Sequence, residues 1–229
     1  MIDRRTFLLG AAGTAVAVTA AAAPTAGNRK LNNRLELWHE YSSRTQNLLA
    51  RVSTTRETSL LSEPLRTTGS MLFVSPGTLV FRDDSADGST TVTDASGTRI
   101  VPNRDSLPPG PVTAPGTRPA ADWLAARLVG IFAPIPADKL IEGSRANVPK
   151  GRGYRIDLLP PRGSAIRRVV RSVSITLDPA VGAVTRIVVA EAQGDRVTLG
   201  LSDHRQNLDA SDLTSVTEPL AQLGFDISI

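Results

Sequence analysis

The residues of this sequence that could do chemistry are few, and they form no recognisable catalytic site. Cysteine is absent, which excludes disulfides, thiolate metal sites, a cysteine nucleophile and a lipid-modified amino-terminal cysteine. The two histidines, His39 and His204, are too few for a typical histidine-rich metal site. No nucleophile elbow, phosphate loop, dinucleotide fingerprint or HExxH motif occurs. The sequence therefore predicts a protein that is not an enzyme.

One acidic segment matches part of a calcium-binding loop. Asp83, Ser85, Asp87, Gly88 and Asp94 stand at positions 1, 3, 5, 6 and 12 of such a loop. The flanking residues are typical of strands rather than helices, and the last position lacks the usual glutamate. An Asp-Gly turn explains the same residues. We therefore predict neither a metal site nor a cofactor.

Length and charge set the remaining limits. The 229 residues are enough for one sizeable domain with its own core. The net charge is only +4 and aromatic residues make up 4%, so neither a basic surface nor base-stacking platforms indicate a nucleic-acid partner.

The first 23 residues are predicted to be an export signal. Arg4 and Arg5 precede an uncharged, alanine-rich run, and the segment from Asp3 to Leu8 resembles a twin-arginine signal. A general secretory route stays open because Leu9 stands where that signal usually has lysine. A membrane anchor is disfavoured because the run is shorter than the ~20 residues that a spanning helix needs. We expect a mature domain at residues 24–229 and a periplasmic location after cleavage of the leader.

The stretch from Tyr154 to Asp203 contains four runs in which apolar and polar residues alternate. This period of two places one set of side chains on each face of a strand. Pro, Gly and Asp separate the runs, so we predict an antiparallel meander with one apolar face. Earlier strands are predicted at Arg51–Thr58, Gly69–Ser75, Thr78–Arg82, Thr91–Asp94 and Thr98–Val101.

Two helices are predicted to cover the apolar face. Leu31–Leu49 carries apolar residues at helical spacing, with Trp38 in the core. Pro119–Phe132 presents one broad apolar face and ends before Pro134 and Pro136.

Four segments, in this order, resemble the outer-membrane lipoprotein carrier family (LolA-type): Gly69–Phe81, Val92–Gly97, Trp123–Phe132 and Ser174–Asp178. The order of elements carries the resemblance, which extends over nearly all of the mature chain. It implies an α+β fold in which an antiparallel β-sheet is curved into an unclosed half barrel. It also implies helices over the concave, apolar face and a cavity that holds lipid acyl chains.

Alternation along the strands, and the resemblance for Leu79 and Phe81, predict the residues that line this lipid-binding cavity. They are Leu72, Leu79, Phe81, Trp123, Leu128, Ile131, Phe132, Ile156, Leu158, Val173, Ile175, Leu177, Ile187, Val189, Leu199 and Leu201.

The resemblance implies a monomeric periplasmic carrier that moves acylated cargo from the inner to the outer membrane. Its partners would be a lipoprotein or another acylated lipid, an inner-membrane donor transporter and an outer-membrane acceptor, with transient membrane contact. Two departures bear on the cargo: Ser75 replaces an arginine that helps to close the family's lid, and Arg99-Ile100-Val101 replaces aromatic residues. The alternative is a periplasmic regulatory or sensor module of the same fold that binds lipid or a signalling partner.

Two segments are open to two interpretations. Val101–Pro119 is rich in Pro, Gly and Thr and is either a connector or a lid loop at the cavity mouth. A basic stretch is either a solvated surface or a dock for anionic lipid head groups; it comprises Arg145, Lys150, Arg152, Arg155, Arg162, Arg167, Arg168 and Arg171.

The export prediction is tested by changing both Arg4 and Arg5 to lysine. The twin-arginine route reads the arginine pair itself, so the variant should fail to reach the periplasm. The measurement is the periplasmic fraction by immunoblot. Export at full yield would show that the chain uses the general secretory route instead.

Overall fold

The computed structural model of this chain describes residues 26–103, 118–151 and 153–222. These residues form one antiparallel sheet of ten strands with helices packed on it. The helices are α1 (Ala26–Ser42), α2 (Arg118–Phe132), α3 (Ala137–Ile141), α4 (Ala210–Gln222) and a short 3-10 helix, Ala165–Arg168. The strands are β1 (Asn47–Glu57), β2 (Leu65–Val74), β3 (Thr78–Asp83), β4 (Ser89–Asp94), β5 (Gly97–Pro102), β6 (Arg145–Asn147), β7 (Tyr154–Leu159), β8 (Val170–Leu177), β9 (Val184–Glu191) and β10 (Arg196–Gln206).

The sheet is open rather than closed into a barrel. The strand order is β5-β4-β3-β2-β1-β10-β9-β8-β7-β6, so β5 and β6 are its outer strands among the described residues. The β1–β10 pair joins the amino-terminal hairpins to the carboxy-terminal meander. The predicted fold class, α+β with an unclosed antiparallel sheet, is confirmed.

The alternation of the meander sets its register. Ile175 on β8 lies opposite Ile156 on β7 and Ile187 on β9, and all three side chains are fully buried. The same parity continues through Leu199 on β10, which pairs with Thr54 on β1. One face of the sheet therefore collects the inward residues of the meander, and α1, α2 and α3 pack against it. We call it the helix-covered face.

Helix α1 contacts the sheet in two ways, through buried apolar side chains and through hydrogen bonds from Arg34. Leu35 and Trp38 are buried in the core of the helix-covered face. Next to Leu35 in the sequence, the Arg34 guanidinium donates to the carbonyls of Arg155 and Gly153 and lies over the Tyr154 ring at 5.6 Å. Burial lowers the pKa of Arg34. The hydrogen bonds and the ring contact offset part of the free-energy cost of removing its charge from water. The Arg34 contacts therefore hold α1 against β7.

The predicted carboxy-terminal end of the first helix, Leu49, is wrong. The helix ends at Ser42, and Asn47 already begins β1. Leu48, Ala50 and Val52 alternate, so they bury on one face as a strand. The helical spacing of apolar residues happens to continue from Thr45 to Leu49. The spacing alone therefore placed the end of α1 too late in the sequence.

The opposite face of the sheet is also covered, over its amino-terminal half. Helix α4 follows β10 and packs Leu213 and Leu220 against the sheet. The Asp209 carboxylate accepts from the backbone N–H of Asp212 at 2.8 Å and caps its first turn. This second core contains Leu72, Val74, Val80, Val92, Leu213 and Leu220.

The prediction that Leu72 lines the helix-covered face is therefore wrong. Its strand neighbours Met71 and Phe73 point to that face, and Leu72 lies on the other one against the α4 cluster. In the run Met71–Val74 every residue is buried. Apolar residues therefore do not alternate with polar ones there, and the sequence does not indicate which side chains point to which face. Leu72 belongs to the second core.

Several elements gave no clear sequence signal, and some predictions fall outside the described residues. The small elements α3, β6 and the 3-10 helix, and the whole of α4, were not predicted. The export signal, most of the Val101–Pro119 segment, and Arg152 lie outside the described residues.

The packing of α1 on the β8–β9 turn depends on Gly182. Its φ is +82°, and a Cβ there would lie 2.2 Å from the Leu37 carbonyl oxygen. Gly194 has φ +105° with open space around it. Substituting alanine at either position should cost about 1–3 kcal/mol for the backbone conformation, and Gly182→Ala should cost more because α1 must move. Denaturant unfolding measures the difference; equal losses would show that α1 does not approach this turn so closely.

Candidate functional site: the helix-covered face

The helix-covered face is filled in one half. Over β7, β8 and β9 its side chains are fully buried, including Leu158 and Val173. Trp38 reaches this region from α1 and donates its indole N–H to the Ile131 carbonyl at 2.8 Å. Protein interiors of this kind are close-packed. This half acts as an ordinary core.

A part of the same face over β1–β4 is incompletely filled. A cavity of about 180 Å³ lies between α2 and strands β1, β2, β3, β4 and β10. Gly69 is one of its lining residues, and a Cβ at this position would lie 1.8 Å from the Arg82 carbonyl oxygen. The lining residues are Val52, Thr54, Thr67, Thr68, Gly69, Phe81, Arg82, Asp83, Ser89, Thr91, Leu128 and Leu199.

This cavity is lined by apolar and polar side chains together. Val52, Phe81, Leu128 and Leu199 provide the apolar surface, and the threonines provide methyl groups with hydroxyls. Thr54 pairs with both Leu199 and Thr67, so apolar and hydroxyl-bearing side chains lie at the same level of the sheet. Binding pockets for small ligands typically measure ~300–1,000 Å³, so the cavity admits only a short apolar segment unless α2 moves.

Helix α2 is most deeply buried at its carboxy-terminal end, although Ala120 near its start is also buried. Ile131 and Phe132, at its carboxy-terminal end, are buried, and the Phe132 ring lies 6.4 Å from that of Phe73. Trp123 and Leu128, nearer its start, are only half-buried. The part of α2 above the cavity is therefore held less tightly than the part above the filled core.

Arg127 holds the loosely packed part of α2 to α3. Its Nη1 donates to the Leu140 carbonyl at 2.8 Å, and its Nη2 donates to the Glu142 carbonyl. The guanidinium also lies 5.7 Å from the centre of the Trp123 ring. Burial lowers the pKa of Arg127, partly opposed by the Glu142 carboxylate. The buried Arg127 Nε and Trp123 Nε1 have no hydrogen-bond partner among the described residues, a condition that costs free energy and would be relieved by movement.

The structure places every predicted cavity residue except Leu72 on the helix-covered face. Only Phe81, Leu128 and Leu199 of that set line the cavity. Most of the others belong to the filled core or to the anchored part of α2: Leu79, Ile131, Phe132, Ile156, Leu158, Val173, Ile175, Leu177, Ile187, Val189 and Leu201. Trp123 lies at the half-buried start of α2.

Sequence reasoning missed the threonines of the cavity wall. Thr54, Thr67 and Thr91 share the parity of the inward residues, since Thr54 pairs with Thr67 and Thr91 pairs with Phe81. In the sequence they are typical of the solvent-exposed face of polar strands. Pairing with Phe81 identifies Thr91 as an inward residue, but this pairing is known only once the β3–β4 register is known.

A second, larger groove lies outside the helix-covered core, at the opposite end of the sheet. It has a volume of about 520 Å³ and lies between α1, the β8–β9 turn and the end of β10. Most of its polar groups are already paired: Glu40 with Arg44 at 2.6 Å, and the His204 ring nitrogen with the Val184 carbonyl at 2.9 Å. Its lining residues are Leu37, Glu40, Tyr41, Arg44, Asp178, Ala180, Val181, Ala183, Thr185, His204 and Gln206.

The acidic segment that matches a calcium loop forms a turn between two strands. The Asp83 carboxylate accepts from the backbone N–H of Ser85 at 2.9 Å, while Asp94 ends β4, the strand that follows. Within the described ranges, no group of three or more His, Asp or Glu side chains is placed to hold a metal ion.

The basic stretch is divided among several elements. Arg145 lies on β6, Arg155 on β7, and Arg167 and Arg168 on the 3-10 helix. Arg155 pairs with the Asp157 carboxylate at 2.8 Å, and this hydrogen bond raises its pKa. The stretch is therefore partly neutralised and does not present one continuous cationic strip.

No protein-family model matches the chain, and no curated protein sequence matches it. Among solved structures, it is similar to a LolA superfamily protein from Nitrosomonas europaea, at 10% identity and a TM-score of 0.40 over 80% of this chain and 96% of that one. It is also similar to the lipoprotein LppX of Mycobacterium tuberculosis, at 12% identity and a TM-score of 0.40 over 80% and 98%. MucB has 16% identity and a TM-score of 0.42, and this chain covers 62% of its length.

The first of these structures belongs to the superfamily of the carriers that the sequence resembles. None of the helices in the described ranges combines the length and apolar character that crossing a membrane requires.

The attachment of α2 can be tested at Arg127. Arg127→Met keeps an apolar stem beside Trp123 but removes the hydrogen bonds to the α3 carbonyls. Loss of hydrogen bonds from a charged donor should lower the free energy of unfolding by about 1.5–3 kcal/mol. Amide hydrogen exchange should accelerate over residues 122–128 but not at the Ile131–Phe132 anchor. Arg44→Met, at an exposed ion pair, is the control; equal exchange in all three proteins would contradict the account.

Proposed function

We propose that this protein is a non-enzymatic carrier that shields an acyl chain between α2 and the sheet. One observation carries the proposal: most of the helix-covered face is a filled core, whereas one part of it over β1–β4 leaves a partly apolar cavity under the less deeply buried segment of α2. A fold that needed only stability would gain by filling that space, since empty volume costs free energy.

The energetics of such a carrier require no catalytic residue. Removing an acyl chain from water contributes about 0.8 kcal/mol for each buried methylene. The existing cavity accepts the end of a chain, and displacement of Leu128 and the start of α2 would extend the space towards Trp123. The Ile131–Phe132 anchor would keep α2 attached during the displacement.

The cargo and the predicted export signal together indicate where the protein would act. An exported protein with an acyl-binding cavity would carry a lipoprotein or another acylated lipid across the periplasm, from an inner-membrane donor to an outer-membrane acceptor. We assign the acyl chain as the cargo chemistry because Val52, Phe81, Leu128 and Leu199 give the cavity an apolar wall, to which Arg82 and Asp83 add charged groups.

The alternative is a regulatory or sensor module, and the second groove favours it. That groove is larger than the cavity under α2 and has an apolar wall with the exposed Val181 at its edge. A signalling partner seated there would shield Val181 and Tyr41. Crosslinking from a photoreactive residue at position 181 in cells would recover one defined partner if this function holds and only scattered products if it does not.

The carrier function is tested by adding the same bulk to the two halves of the face. Thr91→Phe places a ring in the cavity and should leave the melting temperature nearly unchanged while it reduces uptake of a fluorescent fatty acid. Val173→Phe places a ring in the filled core, where overpacking costs about 1–3 kcal/mol. It should therefore lower the melting temperature. Unchanged uptake by Thr91→Phe, together with a lowered melting temperature, would show an ordinary core beneath α2 and reject the carrier function.

A further inference from the structure

Three leucines are exposed where β1 turns into β2. Leu60 is 89% exposed, Leu61 is 53% exposed and Leu65 is 54% exposed. We call these three residues the leucine tip. Burial of apolar side chains is the main driving force of folding, so three neighbouring leucines that contribute little to the core call for an explanation outside the monomer.

The tip is held in place by its backbone and its neighbours. The Leu61 N–H donates to the Thr58 carbonyl at 3.2 Å, and the Ser59 N–H donates to the Asp195 carboxylate at 3.2 Å. Arg196 pairs with Glu57 at 3.4 Å beside it. The leucines are thus presented on a structured turn that is braced by the β9–β10 turn.

The tip lies at the end of the sheet that is nearer to the cavity. Leu65 begins β2, and the cavity-lining Thr67 and Thr68 follow it within three residues. Leu65 pairs with Arg56, and Thr67 pairs with the cavity residue Thr54. A surface that receives the tip therefore also faces the entrance of the cavity.

We propose that the leucine tip enters the surface of a lipid bilayer and holds the cavity entrance towards it. This proposal rests on the carrier function, for which the cargo must leave and enter membranes. Protein partners of standard interfaces bury about 800 Å² on each side with complementary shapes. A protruding turn with three leucines does not offer such a surface, whereas a fluid bilayer accepts an apolar tip without shape complementarity.

The charges around the tip favour insertion by apolar contact rather than by attraction to anionic lipid. Arg56 and Arg66 are balanced by Glu57 and Glu63 within the hairpin. A balanced tip should bind zwitterionic and anionic membranes alike and should resist salt. Burying two or three leucines gives an affinity on the order of millimolar lipid, which suits a carrier that must leave again.

The test uses zwitterionic phosphatidylcholine vesicles and the protein as exported by the producing cell. Leu60→Glu combined with Leu61→Glu should weaken vesicle binding by about tenfold or more, with the melting temperature unchanged because these side chains contribute little packing. Val181→Glu is the matched control: Val181 is 56% exposed in the turn at the opposite end of the sheet, and its variant should bind as the wild type does. Leu60→Trp should show a blue-shifted emission when vesicles are added.

Three results would overturn the proposal. They are no vesicle binding by the wild type, equal binding by the tip variant and the wild type, and binding that requires anionic lipid and disappears in high salt. The last would assign membrane contact to the basic stretch. Uptake of a soluble fluorescent fatty acid separates this test from that of the carrier function, because the tip variant should retain it; its absence in the wild type would reject the carrier function while leaving the vesicle result intact.

Discussion

The structure depends on one constraint: an open sheet with a broad apolar face must be covered by helices attached to it only in part. Alternation through β7, β8, β9 and β10 produces that face, and burial of its side chains is worth roughly 1.5–3 kcal/mol for each large residue. Trp38 from α1 fills it over the meander, and Phe132 from α2 packs on Phe73 of β2. The space that stays open lies beside Gly69 and the threonines, on the part of β1–β4 beyond the buried Met71 and Leu79.

On the proposed function, stability and acyl binding are divided between two parts of one face. The filled half, together with the α4 cluster on the opposite side, can supply the free energy of folding. The cavity half is free to remain imperfectly packed. Arg127 lies between these two parts: it donates to the Leu140 and Glu142 carbonyls through two nitrogens, while its buried Nε has no partner in the part of the chain that the structure describes. A contact of that kind can hold a helix closed without making its opening prohibitively costly.

The sequence predicted the strands in which apolar and polar residues alternate regularly. The meander has one buried face, so Ile156, Ile175 and Ile187 were placed from alternation alone. The run Met71–Val74 is buried on both faces, and there the pattern could not tell Leu72 from Phe73. Helix α4 was missed because Pro219 lies inside it and its sequence is rich in serine and threonine. Most of the predicted lining residues are closely packed, because alternation identifies the apolar residues of a face but not the places where packing leaves space.

The most direct test of the central claim is to locate an acyl chain in the bound protein. A fatty acid carrying a nitroxide near its methyl end, added to methyl-labelled protein, broadens nearby methyl signals in the NMR spectrum. The account predicts strong broadening at Leu128 and Leu199, which line the cavity, and little at Ile175 and Ile156 in the filled core. Broadening confined to Val181 and Ala183, in the groove at the other end of the sheet, or none at any methyl group, would contradict it.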